Sequence, residues 1–338
     1  MSLCENISVA RKFLKGVKRM PFTVIITKDF AHMSEEAGRI VLKELKSFKP
    51  TKQKPKYVLG LATGNSPTGL YQYLADNQEK FDAANVISFN LDEYIGLPGE
   101  NSQLRALHPE SYSYFMIQQL FGKLKKTFAR TYVPFGTLIC QTALINALNK
   151  SKGDFEMKGT DKGKAVVIKA SAKNYYLKYI KKEILDAYEK AIKYAGGIDL
   201  HIVGVGGRGH VAFHESGIPL NLKMLLVKLD DNTIRNAVKD GHFPSFKDSP
   251  NYAISMGAGL VYKAKTVLLV ANGPRKTAPV AESLLGPVTA DVPISYGQKF
   301  DAEGGNMIYV IDKVAAEGII GHEKELKAKS IKVVDKTA

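Results

Sequence analysis

The sequence predicts an α/β domain built on a parallel sheet with helices on both faces. Three observations lead there. Apolar runs of strand length alternate along the chain with longer amphipathic segments. Some runs are almost continuously apolar, as a strand covered on both faces requires. Several of them end in glycine-bearing loops that open a helix, and the carboxyl edge of such a sheet is where ligands bind.

The elements follow in order. Residues 22–27 (FTVIIT) form a strand, and 33–48 a helix with apolar positions at helical spacing. Residues 57–63 (YVLGLAT) are a buried strand. A helix starts at Ser66-Pro67, with Ser66 as N-cap and Pro67 at the first helical position. Strand 86–91 (VISFNL) precedes helix 110–120, and 174–194 is a long basic helix. Strand 198–205 (IDLHIVGV) ends in glycines; strand 266–271 (TVLLVA) leads into a helix through Leu285; 307–311 is a last strand. Residues 149–166, rich in Lys, Gly and Asp, read as an exposed loop. The expected organisation is a single domain over 21–320, flanked by an extension (1–20) and a polar, peripheral tail (321–338). The middle is decorated by a basic insertion. No internal repeat or heptad run is present.

Composition narrows the class. With 45% hydrophobic and 24% charged residues among 338, the chain is ordinarily globular. No stretch approaches the roughly 20 apolar residues needed to span a bilayer, so no membrane role is expected. The N-terminus lacks the apolar core of a signal peptide. Cys4 and Cys140 are the only cysteines, which excludes a disulfide framework or a cysteine zinc site. A reducing, cytoplasmic location is the default. The net charge of +15 is confined to two segments: residues 1–57 hold 13 Lys/Arg against 5 Asp/Glu, and 123–193 hold 16 against 6. A solvated lysine-rich surface explains this better than nucleic-acid binding, because no aromatic-interleaved RNA motif or zinc finger accompanies the charge.

Four constellations can carry chemistry. The first is GLATGNSPTG (60–69), a glycine-bearing strand-to-helix loop whose backbone N–H groups, with the Thr63 and Ser66 hydroxyls, favour an anion. It is neither a nucleotide P-loop nor a dinucleotide fingerprint, and as a bare loop it reads equally well as a tight turn. The second is SFNLDEYIGLP (88–98). Here Asp92 and Glu93 end a buried strand, where a carboxylate can act as general base or merely form a solvated rim. The third is VGVGGRGHVAFHESG (203–217): His210 follows a glycine-rich turn and Glu215 lies five residues on, the makings of a carboxylate-oriented proton shuttle. The i,i+4 pair His210 and His214 raises a metal reading, but the glycines argue for a loop and no third ligand motif is evident, so no metal is expected. The fourth is NGPRK (272–276), which places Arg275 and Lys276 at a helix start, where a lysine can neutralise a phosphate or simply meet solvent.

Their order and wording together are more specific than any one of them. LGLATGNSPTGLY, NLDEYIGLP with HPESYSYFM, GVGGRGHVAFHE, and AISMGAGLVYKAKTVLLVANGPRK closely resemble the glucosamine-6-phosphate deaminase/isomerase family, over roughly residues 22–320 apart from two insertions. The DEY-GLP plus HPESY pairing separates this group from its fold relatives, the 6-phosphogluconolactonases. The resemblance implies a Rossmann-like single domain. It also implies a reaction on an amino-sugar 6-phosphate: ring opening, aldose-to-ketose isomerisation and loss of ammonia, without metal or redox cofactor. Asp92 matches the base moving the proton from C2 to C1, His210 the ring-opening residue, and Glu215 its supporting carboxylate. Thr63, Gly64, Asn65 and Ser66 match the phosphate loop and Lys276 the phosphate lysine. Glu93 stands beside the base as a substrate contact. The resemblance further implies a homo-oligomer.

The departures are specific. The family has Asp-Gly-His where this chain has Arg208-Gly209-His210. An arginine cannot support an imidazolium; it lowers the His210 pKa or binds a substrate anion. His214-Glu215-Ser216 replaces Asn-Glu-Pro, and Lys239 falls near the family's substrate-binding arginine. Insertions lie at 99–107 and in the basic segment 123–173, and no allosteric segment is recognisable. The alternatives are a sugar-phosphate isomerase or lactonase without deamination, or a non-catalytic sugar-phosphate sensor.

Overall fold

The computed structural model describes residues 21–338; the predicted extension 1–20 lies outside them. Thirteen strands form among the described residues: β1 (Thr23–Thr27), β2 (Tyr57–Leu61), β3 (Val86–Asn90), β4 (Asp92–Ile95), β5 (Arg130–Tyr132), β6 (Phe155–Lys158), β7 (Lys164–Ile168), β8 (Leu200–Val203), β9 (Met224–Lys228), β10 (Tyr252–Met256), β11 (Thr266–Ala271), β12 (Asn306–Asp312) and β13 (Lys332–Asp335). Eight make the main sheet in the order β13-β1-β12-β11-β8-β2-β3-β5, and every pairing is parallel.

That order places a topological switch between neighbours β2 and β8. From β2 the chain winds outward through β3 to β5; from β8 it winds the other way through β11 to β12. The connections diverge there and leave a crevice at the strands' carboxyl ends.

The strand cores are apolar because both faces are covered. On one face Leu59, Leu61, Leu200, Ile202, Leu268 and Val270 pack against Met33, Val41, Leu70 and Leu74, which project from helices Phe30–Ser47 and Thr68–Asp76. On the other, Val58, Phe89, Val203, Val267, Leu269 and Tyr309 meet Val280 and Leu284 of helix Thr277–Leu285. Each such side chain, fully buried, contributes roughly 1.5–3 kcal/mol.

Several expectations need correction. A second, antiparallel sheet, β4-β10-β9-β7-β6, joins the first directly, because β4 starts two residues after β3 ends. Residues 149–166 are therefore not a loop: they supply β6 and the start of β7, whose Ala165, Val166 and Ile168 are buried. The composition misleads because β6 is an edge strand with a wet face. The tail is not peripheral either. β13 pairs with β1, and Lys332 N donates to Phe22 O at 2.8 Å. Helix Thr68–Asp76 is entered through Pro67 with no side-chain cap, because the Ser66 hydroxyl instead donates to Asn272 Oδ1 at 2.7 Å. The long basic helix runs from Tyr175 to Tyr194 but carries a π-turn at Ile180–Asp186.

Candidate active site

The crevice at the β2/β8 switch is walled by the segments that follow four strands. After β2 come Thr63, Gly64, Asn65 and Ser66; after β3, Asp92; after β8, the Gly204–Gly206 turn and His210; after β11, Lys276. Its free volume, 180 Å³, suits one small molecule and not a dinucleotide. A larger hollow of 960 Å³ lies at the opposite, amino-terminal edge, among Lys46, Lys49, Lys80, Lys123, Lys125 and Lys126. It draws on both basic segments, but no buried ionisable group lines it. The chemistry-bearing groups converge in the smaller cleft.

Gly64, at φ 108°, lets the first loop turn where a side chain would be strained. The uncapped start of helix Thr68–Asp76 presents N–H groups to an anion. Ser66, through Asn272, ties this loop to the one bearing Lys276. The Lys276 ammonium donates to Val205 O at 2.6 Å and keeps further N–H groups for a ligand. Burial, then Arg275, lowers its pKa.

Asp92 and Glu93 diverge because adjacent residues of a strand face opposite sides. Asp92 is 5% exposed and lines the cleft; its Oδ1 has no partner and the Thr63 hydroxyl bonds its carboxylate. Burial first, then the Glu93 charge, lifts its carboxyl well above the usual range. Glu93 is not in the cleft, contrary to its expected role as a substrate contact. It is fully buried and caps helix Tyr112–Gln119, Oε1 accepting from Tyr112 N (3.0 Å) and Tyr94 N (2.9 Å), Oε2 from Ser111 Oγ (2.8 Å), Ser113 N (3.0 Å) and Ser113 Oγ (3.1 Å). Those bonds leave it no capacity for a sugar.

His210 Nδ1 stands 3.6 Å from Glu215 Oε2, short of a hydrogen bond but within reach of one. Burial, then the charges of Lys276 and Arg208, pushes the imidazole down to about 4, so it is neutral near pH 7. Burial pushes Glu215 up to about 7, opposed by hydrogen bonds from the Thr233 hydroxyl and Asp230 N. His214 has no ring nitrogen free for a metal: Nδ1 accepts from Ala258 N at 3.0 Å and Nε2 contacts Ile218 O at 3.0 Å.

Two further expected contacts fall outside. Arg208 points out of the cleft, its guanidinium paired with Asp161 and 3.7 Å from Asp230. It acts on His210 only through its field. Lys239 is exposed in the last turn of helix Asp231–Lys239, a place that suits a cation at a helix C-terminus, and does not line the cleft. Conversely Tyr112, Phe213 and Asn272 help build the site and were not singled out from the sequence. Tyr112, Phe213 and Asn272 lie inside the HPESY, GVGGRGHVAFHE and NGPRK motifs, where polar and charged neighbours carry the more obvious chemistry.

Fold and cleft together bring a buried carboxylate, a histidine–glutamate pair and a lysine to one anion-favouring crevice of an α/β domain. Comparison narrows the class. No family profile matches the chain. A glucosamine-6-phosphate deaminase of Thermoanaerobacter sp. is 34% identical over 295 residues, covering 87% of this chain and 93% of the relative. One from Shewanella woodyi is 31% identical over 319 residues, covering 93% and 98%. Among solved structures, a monomeric glucosamine-6-phosphate deaminase superposes with a TM-score of 0.64 at 25% identity, covering 87% and 98%. The 6-phosphogluconolactonase of Plasmodium vivax (TM-score 0.58, 14% identity, covering 95% and 99%) shares the fold. The chain belongs to the glucosamine-6-phosphate deaminase family.

Proposed function

We propose that this protein converts glucosamine 6-phosphate and one water to a ketose 6-phosphate and ammonia. The observation that carries the reading is Asp92: a buried carboxylate with an unpartnered oxygen, facing a cleft that also holds a phosphate-type loop, Lys276 and the His210–Glu215 pair. In this reading the 63–66 loop and Lys276 hold the phosphate and fix the sugar. His210, neutral and backed by Glu215, takes and returns the proton that opens the ring. Asp92 then carries the proton from C2 to C1. Its raised pKa suits an amino sugar, since a substrate ammonium beside it favours the ionised base.

The test is ammonia release from glucosamine 6-phosphate, with galactosamine 6-phosphate in parallel and EDTA present throughout. Release unaffected by EDTA supports the reading. No release from either sugar, in a protein whose melting temperature rises with both, would refute it. The solved relative described as monomeric shows that assembly into oligomers is not required throughout the group.

A further inference from the structure

The turn between β6 and β7 reaches the back of the catalytic histidine. Gly163, in that turn, lies so close to Glu215 and Asp230 that an added Cβ would stand 2.7 Å from Glu215 Cγ and 3.0 Å from Asp230 Cβ. Its N–H donates to Asp230 Oδ2 at 3.3 Å. Asp230 N in turn donates to Glu215 Oε1 at 3.3 Å. Two carboxylates, 3% and 3% exposed as residues, therefore share one buried spot behind His210. Like charges so placed repel strongly unless compensated. Arg208 reaches Asp230 at 3.7 Å, Lys162 adds its field there, and Asp161 of the hairpin turn grips the same guanidinium nitrogen.

We propose that Arg208 is a positioning residue: held from outside by Asp161, its guanidinium supplies the positive charge that keeps Asp230 and Glu215 together behind His210, and so sets the protonation of the His210–Glu215 pair. The charge of Arg208 is thus matched by a carboxylate delivered from the β6–β7 hairpin. The remaining groups facing the pair are the Thr233 hydroxyl on Glu215, and Lys276 and His214 near His210; Lys162 is occupied by Asp231 at 2.9 Å. This inference rests on reading His210–Glu215 as the working acid–base pair, and the test separates the two.

The test follows the His210 ring protons by NMR against pH, with His210→Asn identifying the resonance among seven histidines, in wild type, Arg208→Gln, Arg208→Lys and Asp161→Asn. Losing the half-exposed charge in Arg208→Gln should raise the His210 midpoint, and the acid limb of kcat/KM, by about one unit. Arg208→Lys should restore most of the wild-type curve, which a merely structural role would not predict. Asp161→Asn should move the midpoint the other way, because it removes a carboxylate and leaves Arg208 uncompensated. An unchanged His210 midpoint in folded Arg208→Gln, or shifts of the same sign in both variants, overturns the proposal. If Arg208→Gln fails to fold, the Asp161→Asn midpoint alone decides: a downward shift supports the proposal and no shift overturns it. If wild type releases no ammonia while the midpoints move as stated, the assigned reaction fails and the role of Arg208 stands.

Discussion

Gly206→Ala should disable the enzyme while leaving it folded. Gly206 sits under the imidazole of His210, and a Cβ built on it would fall within the ring, with Nε2, Cδ2 and Cε1 all far inside the 3.0 Å that real Cβ contacts essentially never breach. The backbone there is not in the left-handed region, and the three atoms nearest the added Cβ all belong to the histidine. The ring lies at the end of a side chain that can rotate, and it must retreat by more than about 1 Å, a displacement that by itself costs about 100-fold in rate, or about 2.7 kcal/mol of barrier. Gly207 is the control: nothing lies within 4 Å of its added Cβ. Steady-state ammonia release and thermal melts of Gly206→Ala and Gly207→Ala decide the matter. The first should lose about 100-fold or more in kcat with a melting temperature near wild type, and the second should lose little. Near-normal kcat in Gly206→Ala would show that the reaction does not depend on where His210 stands.

Asp92→Asn should lower turnover by at least about 1,000-fold, the scale of a lost general base, with thermal-shift affinity for the sugar phosphate nearly intact; ordinary turnover would remove Asp92 from the proton path. Lys276→Ala should raise KM for the phosphorylated sugar by roughly 10- to 150-fold, the worth of a hydrogen bond to a charged group, with a smaller change in kcat; an unchanged KM would move the phosphate elsewhere. Glu215→Gln tests the buried carboxyl by stability. Its folded-state pKa is raised from 4.5 to about 7, so folding favours the protonated form: that contribution is present below pH 4.5 and lost as pH rises through about 7. Urea unfolding should therefore show Glu215→Gln gaining on wild type at pH 8 relative to pH 5, by up to about 3 kcal/mol. The same difference at both pH values would refute the assignment.

The sequence made legible the features that parallel sheets impose locally. Strands β2, β3, β8 and β11 are covered on both faces, so their runs are largely apolar and their ends are sharp. The segments that follow them hold Thr63, Asp92, His210 and Lys276, and all four side chains line one cleft. The second sheet was not legible. Its strands come from five segments of four or five residues each, and apart from the β6–β7 hairpin they pair only across long sequence separations, such as Ser255 with Asp92. The lysine-rich segment 149–166 looks like a loop for the same reason, until β7 finds β9.

Within the site the division is the same. The sequence by itself determined which residue types stand at the carboxyl edge of the sheet, because strand ends and glycine turns are local. Only the tertiary structure decided which of those residues face the substrate. The two-residue period of β4 turns Asp92 into the cleft and Glu93 onto a helix N-terminus, although the two are neighbours in the chain. Only the fold brings Asp161 and Asp230, distant in sequence from Arg208, to its guanidinium. Electrostatic partnership depends on separations of a few ångströms, and a linear sequence does not contain those distances until the chain has packed.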